Sequence, residues 1–362
     1  MKKLLIVFLA LLTILVSQQA NAIENQEDSV VLFPVQVNGI WGYIDKSGEM
    51  VIEPRFGTAR YFSEGLAPVW DFIKQKWGYI DETGKMVIQP MFDEAWYFEE
   101  GMALINFEGN WFSQSGAYGY IDTSGKLVVG PQFHYAYPFS EGLALVMVGG
   151  EWKEHILDGT SPGGWANGKW GYLDESGEFT IEPKYDGGRN FSEGMAAVEV
   201  DGKVGFIDKT GKMVIPPQLE IVADGFSEGF AAVRNKEEKF GYIDRSGEYV
   251  IGPQYDLGLP FSEGLAGVML TTKEGDIKSG YIDGKGEMII KPEFDLVDQF
   301  VEGIALAQVG RKWGYIDKSG KFIIKPQFDK ARRFIGGLAQ VTVDDKIGYI
   351  DKTGKYVWEP TK

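Results

Sequence analysis

The stretch Trp41-Gly42-Tyr43-Ile44-Asp45 decides how this chain is built, because the same pentad returns eight more times. Every copy has Gly second, Tyr or Phe third, Ile or Leu fourth and Asp fifth. The later copies begin at Trp77, Tyr118, Trp170, Val204, Phe240, Ser279, Trp313 and Ile347. Nine matching pentads indicate tandem repeats, so the 362 residues are predicted to form one array rather than several unrelated domains.

The second repeat displays the plan of one unit. Residues 65–70, 77–81 and 85–88 are three short runs rich in β-branched and aromatic residues, and each is closed by turn residues. Such runs predict a three-stranded antiparallel meander, whose strands we call A, B and C. A connector follows, and Pro90 is predicted to end strand C because Pro cannot donate to a ladder. No window has helical periodicity, so an all-β fold is expected.

The spacings separate a constant block from a variable one. The Pro of strand C always comes twelve residues after the pentad Gly, as Pro54 does after Gly42. From that Gly to the Gly opening the next strand A there are 23 residues in seven of eight intervals. The length from strand A to the next pentad ranges from 11 to 29. Insertions therefore fall in the A–B hairpin loops, which are expected to line one edge of a stacked array.

The pentad residues are predicted to have structural roles. The first residue packs, and Asp caps a tight hairpin turn in which a Gly takes positive φ. The Glu of the recurring Ser-Glu-Gly sequence is expected to accept hydrogen bonds from connector amides. The structural set comprises Trp41, Gly42, Asp45, Trp77, Gly78, Asp81, Trp170, Gly171, Asp174, Trp313, Gly314 and Asp317.

The N-terminus has the features of an export signal. Lys2 and Lys3 precede an apolar run, and Ala20-Asn21-Ala22 is a small-residue cleavage site. We therefore expect residues 1–22 to be a signal peptide, 23–29 a flexible leader, 30–360 the nine-unit array and 361–362 a tail. The mature chain is expected to be periplasmic or secreted and to lack a membrane span, because no other stretch is apolar and long enough.

Composition narrows the possible functions. The formal net charge of −16 disfavours nucleic acid as a partner, and the absence of Cys excludes disulfides and thiol chemistry. The motif Asp residues recur once per unit and so lie too far apart for paired acid–base catalysis. No phosphate-binding loop or Cys/His cluster is present, and the two histidines, His134 and His155, are isolated. No catalytic residue, metal or cofactor is therefore predicted, and the chain is expected not to be an enzyme.

The A–B loops hold the candidate binding residues. The two longest carry aromatic side chains that the repeat plan does not require, beside polar and acidic groups. Exposed aromatics of this kind suit a binding patch for sugar rings, peptide or a protein partner. The alternative is that the loops fold over one another and bury them. The candidate residues are Trp111, Phe112, Trp152, His155 and Trp165.

The pattern Trp-Gly-Tyr-Ile-Asp-Lys-Ser-Gly, then Val-Ile, Pro and Phe-Ser-Glu-Gly-Leu-Ala, resembles the WG-repeat (KWG-repeat) family of bacterial proteins over residues 30–360. The chain departs from it where other residues replace Trp and where Gly336 replaces the Glu. The resemblance implies an all-β array of structural or interaction modules without implying an activity. Units of three strands and 34 residues, with no spare strand for closure, favour an open curved or superhelical array over a closed β-propeller-like ring.

The leading functional hypothesis is an exported, non-enzymatic scaffold that binds a protein or other macromolecule along the A–B loop edge. The runner-up is a carbohydrate- or peptidoglycan-binding module that uses the loop Trp residues. A hydrolase assembled on the loops is the weaker alternative.

Overall fold

The computed structural model describes residues 31–107, 117–153, 164–273 and 275–361, and these contain strands and turns but no helix. They divide into two compact units. One unit is Arg55–Ile221, and the other combines the chain before it with the chain after it. We number the sheets by the pentad that each contains.

The N-terminal part of the chain contains sheet 1, and Arg55–Ile221 contains sheets 2 to 5 and a separate two-stranded ribbon. Sheet 1 contains β1 (Phe33–Val37), β2 (Ile40–Ile44) and β3 (Met50–Phe56), and sheet 2 contains β4 (Thr58–Ala59), β5 (Leu66–Asp71), β6 (Lys76–Asp81) and β7 (Met86–Phe92). Sheet 3 contains β8 (Glu94–Glu99), β9 (Met102–Asn106), β10 (Tyr118–Asp122) and β11 (Leu127–Phe133), and sheet 4 contains β12 (Tyr135–Ala136), β13 (Ala144–Val148), β16 (Lys169–Leu173) and β17 (Phe179–Tyr185). The ribbon consists of β14 (Glu151–Lys153) and β15 (Gly164–Ala166), and sheet 5 contains β18 (Gly187–Gly188), β19 (Met195–Val200), β20 (Lys203–Asp208) and β21 (Met213–Leu219).

The C-terminal part of the chain forms sheets 6 to 9, each with four strands. These are β22 (Ile221–Val222), β23 (Ala231–Arg234), β24 (Phe240–Ile243) and β25 (Tyr249–Tyr255); β26 (Leu257–Ser262), β27 (Leu265–Thr271), β28 (Ile277–Ile282) and β29 (Met288–Phe294); β30 (Leu296–Val297), β31 (Ala305–Val309), β32 (Lys312–Ile316) and β33 (Phe322–Phe328); and β34 (Lys330–Ala331), β35 (Leu338–Val343), β36 (Lys346–Asp351) and β37 (Tyr356–Thr361).

The predicted three-stranded unit is wrong for sheets 2 to 9, because the connector supplies a fourth strand. It pairs antiparallel with strand A, so each sheet has the order connector, A, B, C. In sheet 2, the Gly57 N–H donates to the Trp70 carbonyl at 2.9 Å and the Arg60 N–H to the Pro68 carbonyl at 3.1 Å. Most connector strands have only two residues, which is too short to show a period of two in the sequence.

Strand C also runs further than expected. Pro90 was predicted to end it, but β7 continues through Pro90 to Phe92. The register of the B–C pair shifts on both sides of Tyr79, so the regular ladder is already interrupted where Pro occurs. Strand C is the last strand of its sheet, where a residue without an N–H is tolerated.

The close approach of strand C to strand B explains why the second pentad residue is Gly. A Cβ built on any of the nine pentad glycines would lie within 2.9 Å of the carbonyl oxygen ten residues later in strand C. At Gly78, for example, it would lie 2.6 Å from the Ile88 oxygen and 2.8 Å from the Pro90 nitrogen. The twelve-residue spacing from Gly to Pro thus reflects a direct contact between two backbones.

The third pentad residue links neighbouring sheets. The Tyr side chains are completely buried, and the hydroxyl donates to a carbonyl in the next connector, 17 residues later. The donor and acceptor residues are Tyr79 and Trp96, Tyr120 and Tyr137, Tyr172 and Arg189, Tyr242 and Leu259, Tyr281 and Asp298, and Tyr315 and Arg332. A buried Tyr normally needs such a partner, so this residue secures both packing and the position of the next connector.

The first pentad residue packs within its own sheet. Trp77 lies edge-on to Trp70 of strand A, with ring centroids 5.8 Å apart, and the Arg60 guanidinium lies 4.5 Å from a Trp77 ring. Trp170 packs against Tyr135 and Tyr137 of its connector with tilted rings. The residue therefore covers the connector and strand A.

The expected open array is wrong, because sheets 1 and 9 pack against each other. Tyr349 donates its hydroxyl to the Pro34 carbonyl at 2.9 Å, and Thr361 donates to the Gln36 carbonyl at 2.5 Å. By register these two oxygens correspond to Pro68 and Trp70 in sheet 2, which accept connector N–H groups. Phe33 packs on the Tyr349 ring, with centroids 5.5 Å apart. Side chains of sheets 1 and 9 thus connect the two ends of the chain, and this contact does not need a strand from one end to pair into the sheet of the other.

The departure at Gly336 belongs to this junction. A Cβ there would lie 3.0 Å from the Val31 side chain. At the equivalent positions of other repeats, a Glu carboxylate accepts an N–H from the next Glu-Gly turn. Sheet 1 has no such turn among the described residues, so a Glu at position 336 would have no corresponding amide to accept from.

Candidate functional site

The A–B loops of each unit lie at one end of its sheets, as the antiparallel strand order requires. Three are two-residue turns with positive φ at both positions, Asn38-Gly39, Asp201-Gly202 and Asp344-Asp345. These are the mirror-image turns that match the twist of a hairpin. The longer loops are therefore insertions on a minimal hairpin.

The loop of sheet 2 presents apolar side chains in a fixed conformation. The Asp71 carboxylate accepts the N–H groups of Ile73 at 2.9 Å and Lys74 at 2.7 Å. The Gln75 N–H closes the turn on the Asp71 carbonyl at 2.9 Å. Ile73 is 94% exposed and Phe72 is 50% exposed. The candidate residues predicted from the sequence did not include this pair.

The predicted binding residues fall into two groups. Trp111, Phe112 and His155 lie outside the described residues. Trp152 and Trp165 lie in the ribbon, where their backbones are directly opposite each other. Positive φ angles at Gly149, Gly150 and Asn167 bend both legs between sheet 4 and the ribbon. The insertion is thus an additional hairpin, with a His134 ring nitrogen 3.2 Å from the Gly149 carbonyl oxygen at its base.

A row of ion pairs joins neighbouring sheets at this end. The residue before the pentad is a Lys in most repeats, and its ammonium contacts a carboxylate 17 residues later, just beyond strand C. The pairs are Lys76 and Asp93, Lys169 and Asp186, Lys203 and Glu220, Lys239 and Asp256, Lys278 and Asp295, and Lys312 and Asp329, at 2.5 to 2.6 Å. Sequence reasoning missed this pairing, although the constant 17-residue spacing was available as a signal.

Several of these carboxylates also accept an N–H from the next A–B loop. Asp186 accepts from Asp201 at 2.9 Å, and Asp295 accepts from Gly310 at 2.6 Å. The Lys169 ammonium and the Asp201 N–H together hold the pKa of Asp186 below its usual value. Within each unit, successive A–B loops are therefore tied to a common edge.

The ion pair is replaced at two places in the repeat pattern. Ile40 and Gly57 occupy the two positions in one case, and Ala117 and His134 in the other. Where the Lys is missing the acid is missing too, so the residues change as a pair. The adjoining loops in sheets 2, 3 and 4 carry Phe72, Trp111 and Trp152.

The opposite end is held by the Ser-Glu-Gly turns. Glu adopts positive φ in each, for example 51° at Glu64, although this conformation is unfavourable for a long side chain. The carboxylate reaches the following turn, as Glu64 accepts from Gly101 at 2.9 Å and Glu228 from Gly264 at 2.9 Å. The predicted acceptance of connector amides is therefore observed, and it joins neighbouring sheets. These carboxylates have structural partners.

The pentad Asp residues cap the B–C turns. Asp45 accepts the Ser47 N–H at 2.8 Å, the Ser47 hydroxyl at 2.7 Å and the Glu49 N–H at 3.0 Å. The Ser47 hydroxyl is the main cause that lowers the Asp45 pKa, with the backbone N–H groups adding to it. These recurring carboxylates stabilise the B–C turns.

Glu99 is an exception among the Ser-Glu-Gly turns because it occupies the Ser position. The Ser at that position donates its hydroxyl to the next connector, as Ser63 does to the Phe98 carbonyl at 2.6 Å. Burial, with Glu100 and Glu64 nearby, raises the Glu99 pKa to about 8. A neutral carboxyl is a hydrogen-bond donor, so the protonated form suits a position that otherwise holds a hydroxyl.

Replacing Glu99 with Gln is expected to change the pH dependence of stability. Because the folded-state pKa is raised from 4.5 to about 8, the wild type should lose stability as pH rises through that interval. Glu99→Gln should abolish this loss and should exceed the wild type in stability above pH 8. Urea unfolding from pH 4 to 9 tests this, with Glu182→Gln, at an exposed site in the same unit, as the control. Parallel profiles for wild type and Glu99→Gln would contradict it.

No group of three or more His, Asp or Glu side chains among the described residues could hold a metal ion. The described residues also contain no helix of the length and hydrophobicity needed to cross a membrane.

The repeated sheets and their inter-sheet bonds define an all-β tandem-repeat protein. The family described as "WG containing repeat" matches residues 41–69, 77–111, 118–152, 170–203, 205–239, 240–271, 280–313 and 313–346. These matches cover well over half of the chain, so the chain belongs to this family and the resemblance seen in its pentads is confirmed. No curated protein matches the chain as a relative.

Solved structures with similar architecture share little sequence with the chain. BamB from Moraxella catarrhalis is 11% identical, with a TM-score of 0.46 over 82% of this chain and 91% of BamB. The uncharacterized protein lmo1340 from Listeria monocytogenes is 9% identical, with a TM-score of 0.39 over 71% of this chain and 90% of that one. The WD40 domain of Toxoplasma gondii coronin is 11% identical, with a TM-score of 0.34 over 69% of this chain and 77% of that domain.

Proposed function

We propose that this chain is an exported, non-enzymatic scaffold that binds a protein partner through the A–B loops of sheets 2, 3 and 4. The observation that carries the proposal is the pair Phe72 and Ile73, which are 50% and 94% exposed at the tip of a hydrogen-bonded loop. Exposing Ile to water is unfavourable, and a preformed apolar tip loses little conformational entropy when a partner covers it.

The placement of the insertions supports the same edge. Long loops carry function more often than the scaffold beneath them. In the sequence, the loops of sheets 3 and 4 also contain aromatic residues, namely Trp111, Phe112, Trp152 and Trp165. Aromatic side chains are enriched at the energetic centres of protein interfaces.

A peptidoglycan- or carbohydrate-binding module is the second candidate. The specific observation in its favour is the direct pairing of Trp152 and Trp165 in the ribbon, because aromatic side chains are the usual platforms for sugar rings. This candidate requires the ribbon and not the sheet 2 tip, so the two can be separated.

Capture of envelope proteins tests the leading proposal. The full chain is compared with Phe72→Ser/Ile73→Ser, which removes the apolar tip. Val250→Ser/Ile289→Ser is the control, because it removes two other exposed apolar side chains, each 47% exposed on strand C of another sheet. We expect one or more proteins to be retained by the wild type and the control and lost from the tip variant. Equal retention by all three would overturn the proposal.

A parallel binding assay on purified peptidoglycan distinguishes the second candidate. A variant in which residues 150–167 are replaced by Asn-Gly keeps every strand of sheet 4. Loss of peptidoglycan binding in this variant, with the Phe72→Ser/Ile73→Ser variant unaffected, would favour the carbohydrate function.

A further inference from the structure

We infer that two copies of this chain pair along the outer edge of β14, so that their ribbons form one four-stranded sheet with the order β15, β14, β14, β15. This self-association goes beyond the proposed partner binding and does not depend on it. It rests on the isolation of the ribbon and on the residue order within β14.

The ribbon is a separate sheet of two strands. Among the described residues, β14 pairs only with β15, through Glu151 and Ala166, Trp152 and Trp165, and Lys153 and Gly164. The outer edge of β14 therefore carries main-chain groups without a strand partner, which is a template for pairing with another chain. A two-stranded hairpin is marginally stable in water, so an added strand also stabilises the ribbon itself.

The ribbon edge does not continue an edge of sheet 4. Gly149 and Gly150 have φ angles of 69° and 103°, and Asn167 has 63°, so both legs change direction before the ribbon starts. The connector strand β12 pairs with β13 below the bend and does not extend along β14. Nothing in sheet 4 thus occupies the position that a second β14 would take.

The residue order of β14 is self-complementary in an antiparallel pair. Pairing two copies about Trp152 puts Glu151 of each copy opposite Lys153 of the other. The two Trp152 positions are then directly opposite each other in register, on the twofold axis. Opposite charges and aromatic pairs are the favourable cross-strand combinations, and an isologous contact of this kind closes as a dimer.

The register of the ribbon does not place these two charged residues opposite any other charged residue. Glu151 is exposed and is paired in register with Ala166, while Lys153 is paired with Gly164. Neither charged residue has a charged cross-strand partner until a second copy is added. The alternative edge, β15, reads Gly164-Trp165-Ala166 and offers no charge complementarity. The arrangement therefore selects β14.

The pairing of two three-residue strands is far smaller than the ~1,600 Å² of a standard interface, so the dimer should be weak. We expect it in sedimentation velocity at high micromolar concentrations of the full chain. Glu151→Lys and Lys153→Glu each put like charges opposite one another and should raise the dissociation constant on the order of tenfold. The double variant Glu151→Lys/Lys153→Glu restores opposite charges and should recover the wild-type value.

Cross-linking provides a second measurement. The chain has no Cys, so Trp152→Cys introduces its only thiol, at the position that faces itself in the dimer. Diamide, which accepts the two electrons, should convert two such thiols into one intermolecular disulfide. Ile73→Cys, at a fully exposed position outside the ribbon, is the control and should cross-link much more slowly.

Recovery in the double variant together with selective cross-linking at position 152 would support the inference. A chain that stays monomeric at every concentration and does not cross-link at 152 would overturn it. A dimer that is equally stable in all four charge variants would place the interface elsewhere and would overturn it as well.

Discussion

Replacing Gly241 with Ala is expected to destabilise the protein by at least about 3 kcal/mol, at the upper end of what overpacking costs. The added Cβ would lie 2.5 Å from the Ile251 carbonyl oxygen and 2.7 Å from the Pro253 nitrogen. Both are backbone atoms of strand C, so no side chain can rotate away. Relief requires separating strands B and C of sheet 6, which disturbs the packing of the buried Tyr242 of strand B.

Gly252→Ala is the matched control, because Gly252 belongs to the same sheet and has no atom within 4 Å of its added Cβ. Its φ is not positive, so Ala should be tolerated or slightly stabilising through the unfolded chain. Thermal unfolding followed by circular dichroism compares the two. Similar midpoints for Gly241→Ala and Gly252→Ala would mean that the close approach is not what selects Gly in the pentad.

The sequence could predict the pentad as scaffold, because each of its positions recurs with a physical role. The spacing from Gly42 to Pro54 is constant because strand C crosses close to the Gly. Asp45 recurs because one carboxylate accepts three hydrogen bonds in the turn. Local, repeated contacts leave a repeated signal, and these features were therefore readable without a structure.

The fourth strand and the junction of the chain ends could not be predicted in this way. Thr58–Ala59 is a strand only because its main chain pairs with strand A, and two residues carry no pattern. The junction depends on Phe33, Tyr349 and Thr361, which do there what strand pairing does elsewhere. A contact that occurs once leaves no periodic signal. Because the sequence showed no spare strand, it suggested that the two ends of the chain do not meet, and this was wrong.

The candidate site was only partly predictable. Loop length drew attention to sheets 3 and 4, whose binding role stays a prediction, but nothing in the sequence singled out the short loop of sheet 2. The exposure of Ile73 follows from the Asp71 turn, which is visible only in three dimensions. The ion pair of Lys76 with Asp93 was within reach, because the two residues are replaced together elsewhere in the chain.

The most buried ion pair among the described residues is between Arg333 and Asp298, which follow the connector strands of sheets 9 and 8. Arg333 donates from Nε to Oδ2 at 2.8 Å and from Nη2 to Oδ1 at 2.5 Å. The Asp298 carboxylate also accepts the Gln299 N–H at 2.8 Å, and the main-chain carbonyl of Asp298 accepts the Tyr281 hydroxyl. Asp298 thus joins three successive sheets.

Arg333→Met is expected to destabilise the protein by roughly 3–5 kcal/mol, because it leaves the Asp298 carboxylate buried without its cation. Met retains most of the side-chain volume, so the loss reports the uncompensated charge rather than a cavity. Lys312→Met is the control, since it breaks the exposed pair with Asp329 in the same unit and should cost far less stability. Chemical denaturation of the two variants against wild type measures the difference.

The double variant Asp298→Leu/Arg333→Met decides what the pair contributes. Once both charges are gone no buried charge lacks a partner, so most of the stability lost in Arg333→Met should return, apart from the cost of the Gln299 N–H losing its acceptor. A double variant as unstable as Arg333→Met would show that the sheets need the bidentate bond itself. Recovery would mean that the pair fixes how the connectors of sheets 8 and 9 align, while the packing of Tyr281, Tyr315 and their neighbours supplies the stability.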